Sequence, residues 1–325
     1  MSRPDAYHAP VLAGEVVELF RSAKTVLDGT IGGGGHASAL LAAGVPLVLG
    51  VDRDPEAIAA ARSRLDVFER AGRFRAFQTT FDAIDGVAEL ANREFDAALL
   101  DLGVSSRQFD APERGFSFRE GAPLDMRMEG AGTRGDDART AADLLNQTDE
   151  RELARIFKEY GDEPRAGRLA REIVRRRGRE TFATSDHLVR AIRGALGART
   201  GPSDFARLFQ AVRIAVNDEL DRLARALPLL RDHLRAGGIL AAITYHSGED
   251  RLVKQTFREW SADCVCPPRQ PMCTCRGHAL GETLTRRAVL PTPEEITRNA
   301  RARSAKLRAW RKGAAEQSGG DAEGR

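Results

Sequence analysis

The sequence predicts an α/β fold in which a parallel sheet carries helices on both faces. Three observations lead to this prediction: strand-like and helix-like segments alternate over the first hundred residues, three predicted strands end in an acid, and a glycine cluster follows the first strand. Such alternation is typical of βαβ units, because parallel strands need a crossover between them. After residue 101 only helical segments follow for a time, so we also predict an inserted helical domain.

The glycine cluster predicts a ligand site at the end of the first strand. Residues 26–36 read Val-Leu-Asp-Gly-Thr-Ile-Gly-Gly-Gly-Gly-His, which is an apolar run, an acid, a turn and the start of a helix. In α/β sheets such a turn lets the backbone approach a nucleotide-like ligand, where no side chain can be accommodated. The alternative is a flexible surface loop, and the flanking strands argue against it.

Two acids indicate which nucleotide this site binds. Asp52 ends the second apolar run twenty residues after Gly32, the position from which an acid accepts hydrogen bonds from ribose hydroxyls. Asp28 ends the first strand, where its carboxylate would repel a pyrophosphate but attract the ammonium and sulfonium groups of S-adenosylmethionine. The stretch therefore favours a methyl donor over NAD.

The other elements of the first hundred residues continue the alternation of strands and helices. We predict a helix over 11–20 and, in turn, strands near 25–28, 46–51, 74–77 and 95–101, separated by helices near 36–43, 55–70 and 83–91. Asp101 ends the fourth strand. Because ligands lie at the carboxyl ends of parallel strands, we expect Asp28, Asp52 and Asp101 to form one cluster there.

The chain then leaves the sheet and returns to it. Helices are predicted near 139–147, 149–160, 164–177 and 184–196, and a return helix near 206–227 carries an apolar stripe at helical spacing. A strand at 239–245, a helix over 249–260 and strands near 284–290 and 304–310 complete the sheet. We therefore expect the first part of a core domain (1–106), a loop with the inserted helical domain (107–204), the second part of the core (205–312) and a disordered tail (313–325).

Composition is typical of a globular enzyme. Of 325 residues, 42% are apolar and 30% are charged, and the net charge is +3. No apolar run approaches the ~20 residues of a membrane span, and the polar first residues lack the apolar core of a signal peptide. We expect a cytoplasmic protein without membrane association.

The four cysteines lie together as two Cys-x-Cys pairs. They are Cys264, Cys266, Cys273 and Cys275. This distribution is not a secreted disulfide framework. Four thiolates could hold a structural zinc, but the pairs are spaced more tightly than the usual Cys-x-x-Cys, so unligated thiols are the default and no metal is predicted.

Two basic runs and two aromatic residues are candidate RNA contacts. The runs are Arg-Arg-Arg-Gly-Arg at 175–179 and residues 298–312, which hold seven Lys or Arg. They would contact phosphates or form ordinary solvated surfaces. Phe116 and Phe118 would stack a splayed base or fill the core beneath their loop.

Motifs along nearly the whole chain resemble one known family. Besides the stretch 28–36, they include Asp-Leu-Gly-Val-Ser-Ser at 101–106, Arg-Gly-Phe-Ser-Phe at 114–118, Pro-Leu-Asp-Met-Arg-Met at 123–128, Phe-Gln-Ala-Val-Arg-Ile-Ala-Val-Asn-Asp-Glu-Leu at 209–220, His-Ser at 246–247, Glu-Asp-Arg at 249–251 and Arg-Ser-Ala-Lys-Leu-Arg at 303–308. In this order they resemble the MraW-type family of ribosomal RNA small-subunit methyltransferases.

The resemblance implies a Rossmann-like class I methyltransferase with an inserted helical domain. It implies transfer of methyl from S-adenosyl-L-methionine to N4 of a cytidine in the decoding region of 16S rRNA, with the small ribosomal subunit as the expected partner and a homodimer left open. By the family's pattern, the cofactor contacts fall on Gly34, Gly35, His36, Asp52, Phe81, Asp101 and Gln108.

The chain departs from the family's usual pattern beside this site. The family usually reads Ser-Phe-His-Ser-Leu-Glu-Asp-Arg where residues 244–251 read Thr-Tyr-His-Ser-Gly-Glu-Asp-Arg. It usually has Ser-Ser-Pro-Gln where residues 105–108 read Ser-Ser-Arg-Gln.

Three residues are candidates for the chemistry of methyl transfer. Asp101 would accept the N–H of a cytosine amine, whose lone pair is otherwise delocalised into the ring. Ser105, or alternatively Ser106, would orient the base. His246 has two alternative roles, structural hydrogen bonding and contact with RNA. Two rival functions are an NAD-dependent dehydrogenase, which Asp28 disfavours, and an RNA-binding assembly factor with a vestigial pocket, which the intact motifs disfavour.

Overall fold

The computed structural model describes residues 10–104, 111–129, 139–270 and 272–314. Within them, the chain forms a seven-stranded sheet in the order β3-β2-β1-β4-β5-β7-β6. The strands are β1 (Thr25–Asp28), β2 (Leu47–Asp52), β3 (Phe74–Gln78), β4 (Phe95–Asp101), β5 (Leu234–Thr244), β6 (Gly281–Thr283) and β7 (Lys306–Lys312).

The first five strands run parallel, and β7 is antiparallel to both of its neighbours. The order turns back at β1, which has β2 on one side and β4 on the other. At such a point the connections diverge to opposite faces and open a crevice at the carboxyl ends of the strands. The predicted α/β fold with a largely parallel sheet is confirmed.

Most of the helices lie close to their predicted positions. They are Ala13–Phe20, Gly35–Ala42, Pro55–Arg64, Asp66–Arg70, Ala88–Ala91, Ala141–Gln147, Glu150–Glu159, Ala166–Arg177, Ser185–Leu196, Pro202–Asn217, Glu219–Asp232, Ser247–Trp260 and Pro293–Arg298.

The chain divides into two compact units. One, the sheet unit, comprises Met1–Asp52, Glu56–Gly103 and Leu223–Arg325, and the other, the helical unit, comprises Arg53–Pro55 and Val104–Arg222. The sheet unit buries apolar side chains on both faces of its sheet, as parallel strands require. The helical unit has a separate core built from its helices and the segment 116–128. The domain boundaries expected at 106, 204 and 312 remain a prediction.

Two helices and one strand differ from expectation. The return helix predicted over 206–227 is two helices, because Asp218 adopts a left-handed conformation with φ of 55° that an α-helix cannot continue. The helix predicted over 55–70 is likewise interrupted at Leu65, whose φ is −105°.

The strand predicted over 284–290 was wrong. The structure has β6 at Gly281–Thr283 and then only an isolated bridge between Val289 and Leu307. The Thr285 hydroxyl accepts the backbone N–H of Ala309 at 2.9 Å, in place of a backbone carbonyl. That side-chain acceptor interrupts the ladder after β6. Among the described residues, no helix is both long and apolar enough to cross a membrane.

Candidate functional site

Three acids stand at the carboxyl ends of neighbouring strands in the sheet unit. Asp28 ends β1, Asp52 ends β2 and Asp101 ends β4. Asp28 is in register with Gly50 of β2 and Leu99 of β4, so the three carboxylates lie along one rim. The cluster expected from the strand ends is therefore present.

The glycine turn lies at the same rim. The Gly32 N–H donates to Asp52 Oδ2 at 3.0 Å, which ties the turn to the end of β2. Gly34 has φ of 76°, and a Cβ there would stand 3.1 Å from Leu65 Cδ1. Gly34 is therefore needed both for its left-handed backbone and for close packing of the turn. Gly35 begins the following helix.

Asp28 is the most buried of the three acids, with 1% of the residue exposed. Its Oδ1 accepts the N–H of Thr30 at 3.2 Å. Burial raises the pKa of Asp28 from 3.8 to about 6; the charge of His36 and the Thr30 hydrogen bond oppose this rise, while Asp101 and Asp52 add to it. A carboxylate in these surroundings favours a neighbouring cation.

Asp101 is held by three groups of the sheet unit. Its Oδ1 accepts a hydrogen bond from the Tyr245 hydroxyl at 2.9 Å, and its Oδ2 lies 3.5 Å from His36 Nδ1. Its backbone N–H donates to Thr30 Oγ1 at 2.6 Å. Burial raises the pKa of Asp101, while His36 and the Tyr245 hydroxyl lower it. The carboxylate is thus fixed in direction but keeps 24% of its side chain exposed.

Tyr245 stays protonated and acts as a donor. Burial raises the pKa of Tyr245 well above 10.0, and the adjacent carboxylate of Asp101 raises it further. Its backbone N–H donates to Glu249 Oε2 at 2.9 Å, which fixes the residue just after β5. Tyrosine at position 245 is one of the chain's departures from the family's usual pattern, and nothing in the sequence alone indicates that it reaches Asp101.

His36 is oriented by the backbone. Its Nε2 lies 2.9 Å from the Val11 carbonyl, which can only accept, so Nε2 carries a proton. Nδ1 lies 3.5 Å from Asp101 Oδ2 and attracts that carboxylate when it is protonated as well. The imidazole is 6% exposed, in keeping with an orienting residue at the start of its helix rather than an open base.

His246 lies at the N-cap of the helix Ser247–Trp260. Its Nδ1 accepts the backbone N–H groups of Gly248 and Glu249 at 3.2 and 3.4 Å. Its Nε2 is 3.1 Å from Glu249 Oε1 but is not aligned for a hydrogen bond. Only 8% of the side chain is exposed, so this arrangement favours the structural alternative.

Phe81 lies beside the end of β1, and two other expected residues lie outside the described ranges. A Cβ added to Gly29 would stand 3.3 Å from Phe81 Cβ, so the partly buried Phe81 lies next to the residue that follows β1. Ser105 and Gln108 belong to 105–110, outside the described residues.

The candidate RNA contacts are largely engaged within the protein. Arg175 and Arg176 both pair with Glu172 at 2.6 Å, and Lys306 and Arg308 bind Asp250. In the helical unit, Phe116 is buried, and Phe118 packs on Phe205 and Phe209 with ring centroids 5.9 and 6.0 Å apart, so both phenylalanines fill the core.

A polar cavity of about 160 Å³ lies in the helical unit. Its charged lining residues are Arg53, Arg127, Glu129, Arg139, Asp218 and Arg222. Arg53 binds Glu129 with its Nη2 at 2.9 Å, so part of this charge is already balanced.

Comparison with known proteins identifies the family. A family model described as the MraW methylase family matches residues 5–313. The chain belongs to this family. Membership confirms the resemblance seen in the motifs and makes the chain a methyltransferase that uses S-adenosylmethionine. The strand order described above is the class I arrangement expected for it.

Two relatives match over nearly the whole chain. The chain is 60% identical over 309 residues to the ribosomal RNA small subunit methyltransferase H of Gemmatimonas aurantiaca, covering 95% of this chain and 96% of the relative. It is 48% identical over 314 residues to the protein of that name from Anaeromyxobacter sp. strain K, covering 95% and 98%. A solved rRNA methylase from Streptococcus thermophilus covers 93% of each chain at 11% identity, with a TM-score of 0.39.

Proposed function

We propose that the chain transfers the methyl group of S-adenosylmethionine to N4 of a cytidine in the decoding region of 16S rRNA. The observation that carries this proposal is the rim of carboxylates at β1, β2 and β4, in a chain 60% identical to a protein named for small-subunit rRNA methylation. A buried acid with raised pKa beside a glycine turn suits a cationic nucleoside better than a pyrophosphate.

The residues at the rim fit the methyl donor. Asp28 offers a buried carboxylate for the ammonium, and Asp52 offers an acceptor for the ribose hydroxyls. By the family's pattern we also assign Gly34, Gly35, His36, Phe81, Asp101 and Gln108 to the lining of the donor site. The donor supplies an electrophilic methyl carbon on sulfur.

Asp101 is the proposed proton acceptor. As the N4–CH₃ bond forms and the S–CH₃ bond breaks in line, N4 becomes cationic, and its proton passes to the carboxylate. Tyr245 and His36 would hold that carboxylate in one orientation, which makes them positioning residues. Ser105 would orient the base. We assign His246 a structural role at the N-cap of its helix. Tyr245 is the residue immediately before His246, so this N-cap also helps to fix Tyr245.

The proposed partner is 16S rRNA within the small subunit, in the cytoplasm. The polar cavity of the helical unit offers several arginines to phosphates, although acidic residues line it as well. Binding through such contacts would weaken steeply as salt rises. A homodimer is one proposed form of the enzyme.

Methylation of isolated subunits tests the function. Small subunits from cells lacking the protein should take up radioactive methyl from S-adenosylmethionine when the enzyme is added, and mass mapping should place it on one cytidine. Asp101→Ala should abolish turnover at saturating donor while Glu282→Ala, an exposed change on β6, should not. Incorporation at another nucleotide would refute the N4-cytidine assignment.

A further inference from the structure

The four cysteines converge although they come from two separate stretches. Cys264 and Cys266 follow the helix that ends at Trp260, whereas Cys273 and Cys275 precede β6. Their four Sγ atoms all lie within 4.8 Å of one another. This is a closer meeting than two Cys-x-Cys pairs on an unstructured loop would produce.

Four of the six distances between the sulfurs are close to the edges of a zinc tetrahedron. Cys264 Sγ lies 3.7 Å from Cys273 Sγ and 3.8 Å from Cys275 Sγ. Cys273 Sγ lies 3.9 Å from Cys266 Sγ and 3.4 Å from Cys275 Sγ. Four thiolates around a zinc ion with Zn–S of ~2.3 Å have edges of ~3.8 Å. The cluster therefore has room for one ion at its centre.

The loop that carries the cysteines lacks a core of its own. No described residue from 261 to 280 is buried, and its apolar side chains Val265 and Met272 are 39% and 77% exposed. A hydrogen bond from Leu280 N–H to the Trp260 carbonyl closes the base of the loop at 2.7 Å. Ordering so many residues without hydrophobic burial needs another source of stability, such as a metal.

Backbone groups already point at the sulfurs. The Val265 N–H donates to Cys275 Sγ at 3.3 Å, and the Thr274 N–H donates to Cys266 Sγ at 3.4 Å. Each donor lies between the two cysteines of one pair and reaches a sulfur of the other pair. Such N–H···S bonds offset the negative charge of metal-bound thiolates.

We propose that Cys264, Cys266, Cys273 and Cys275 bind one structural zinc ion. Binding of Zn²⁺ to four thiols releases four protons and leaves a tetrathiolate centre with a net charge of −2. Because all four positions are protein ligands, no position is open for water or substrate, so the site is structural. It would fasten the loop between the helix Ser247–Trp260 and β6. The tight Cys-x-Cys spacing favours unligated thiols, and the proposal rests instead on the positions of the four sulfurs.

Metal analysis of the purified, reduced full-length chain tests the proposal. We expect about one zinc per chain in the wild type and loss of nearly all of it in Cys266→Ser and Cys273→Ser. Val265→Ala, an exposed change between two ligands, is the matched control and should keep its zinc. Wild type without bound zinc, even after reconstitution with Zn²⁺, would overturn the proposal, as would iron in its place.

A second measurement uses the wild type, so it does not depend on whether the cysteine variants fold. Cobalt added to the demetallated wild type should give the thiolate charge-transfer and tetrahedral d–d absorption of a four-sulfur site, and zinc should displace both. Because these are the chain's four cysteines, titration with a thiol reagent has no background from other residues. Four thiols that react equally fast with and without zinc would contradict the site.

Discussion

Replacement of Asp28 by asparagine should stabilise the ligand-free protein while weakening its binding of the methyl donor. Asp28 is almost fully buried, and burial raises its pKa from 3.8 to about 6. The folded state thus binds this proton more tightly than the unfolded state does. Stability is therefore lost as pH rises from 3.8 to about 6 and remains reduced above that range.

The size of this effect follows from the pKa. The rise in the pKa of Asp28 from 3.8 to about 6 corresponds to roughly 3 kcal/mol between the two protonation states. Asparagine keeps an acceptor for the Thr30 N–H but carries no charge. We expect Asp28→Asn to raise the free energy of unfolding by up to ~3 kcal/mol at pH 8, and by much less at pH 4.

Tryptophan fluorescence offers a local assay. The chain's two tryptophans, Trp260 and Trp310, both pack in the sheet unit that contains Asp28. Urea unfolding followed at this signal, at pH 8 and at pH 4, reports on that unit without the helical unit. Asp263→Asn, at an exposed acid, is the matched control and should change little.

Calorimetry supplies the second half of the test. If Asp28 faces the ammonium of the donor, Asp28→Asn should weaken binding of S-adenosylhomocysteine at least ~10-fold at pH 8, and wild-type binding should release protons near pH 6. A variant less stable than wild type at pH 8 would refute the burial argument. Unchanged affinity would refute the ammonium contact separately.

Two further changes test the rim. Tyr245→Phe removes a hydrogen bond to a carboxylate worth ~1.5–3 kcal/mol, so the pKa of Asp101 should rise. The acid limb of the kcat profile should then move to higher pH while KM for the donor stays nearly unchanged, and an unmoved limb would contradict the positioning role. Gly34→Ala should cost ~1–3 kcal/mol in urea unfolding, because alanine would be strained at φ of 76° and its Cβ would crowd Leu65, whereas Gly14→Ala, where a Cβ meets nothing within 4 Å, should be tolerated.

Much of the sheet unit was predictable because its signals are local. An apolar run followed by an acid and a turn predicts both a strand and the end of that strand, so Asp28, Asp52 and Asp101 could be placed on one rim. The points at which a predicted helix or strand is interrupted were not predictable in the same way. The left-handed Asp218 and the hydroxyl of Thr285 break regular structure through single local conformations that periodicity does not contain.

The contacts that define the site could not be predicted from the sequence and are visible only in the folded chain. Tyr245 reaches Asp101, and Cys264 meets Cys275, only because residues distant in sequence are brought together by the sheet and by the closed loop. The sequence by itself determined the order of strands and helices, the acids at the strand ends and the family, since these depend on residue type and spacing. Tertiary structure decided which side chains orient those acids and which thiols converge, because both depend on distances that spacing along the chain does not set.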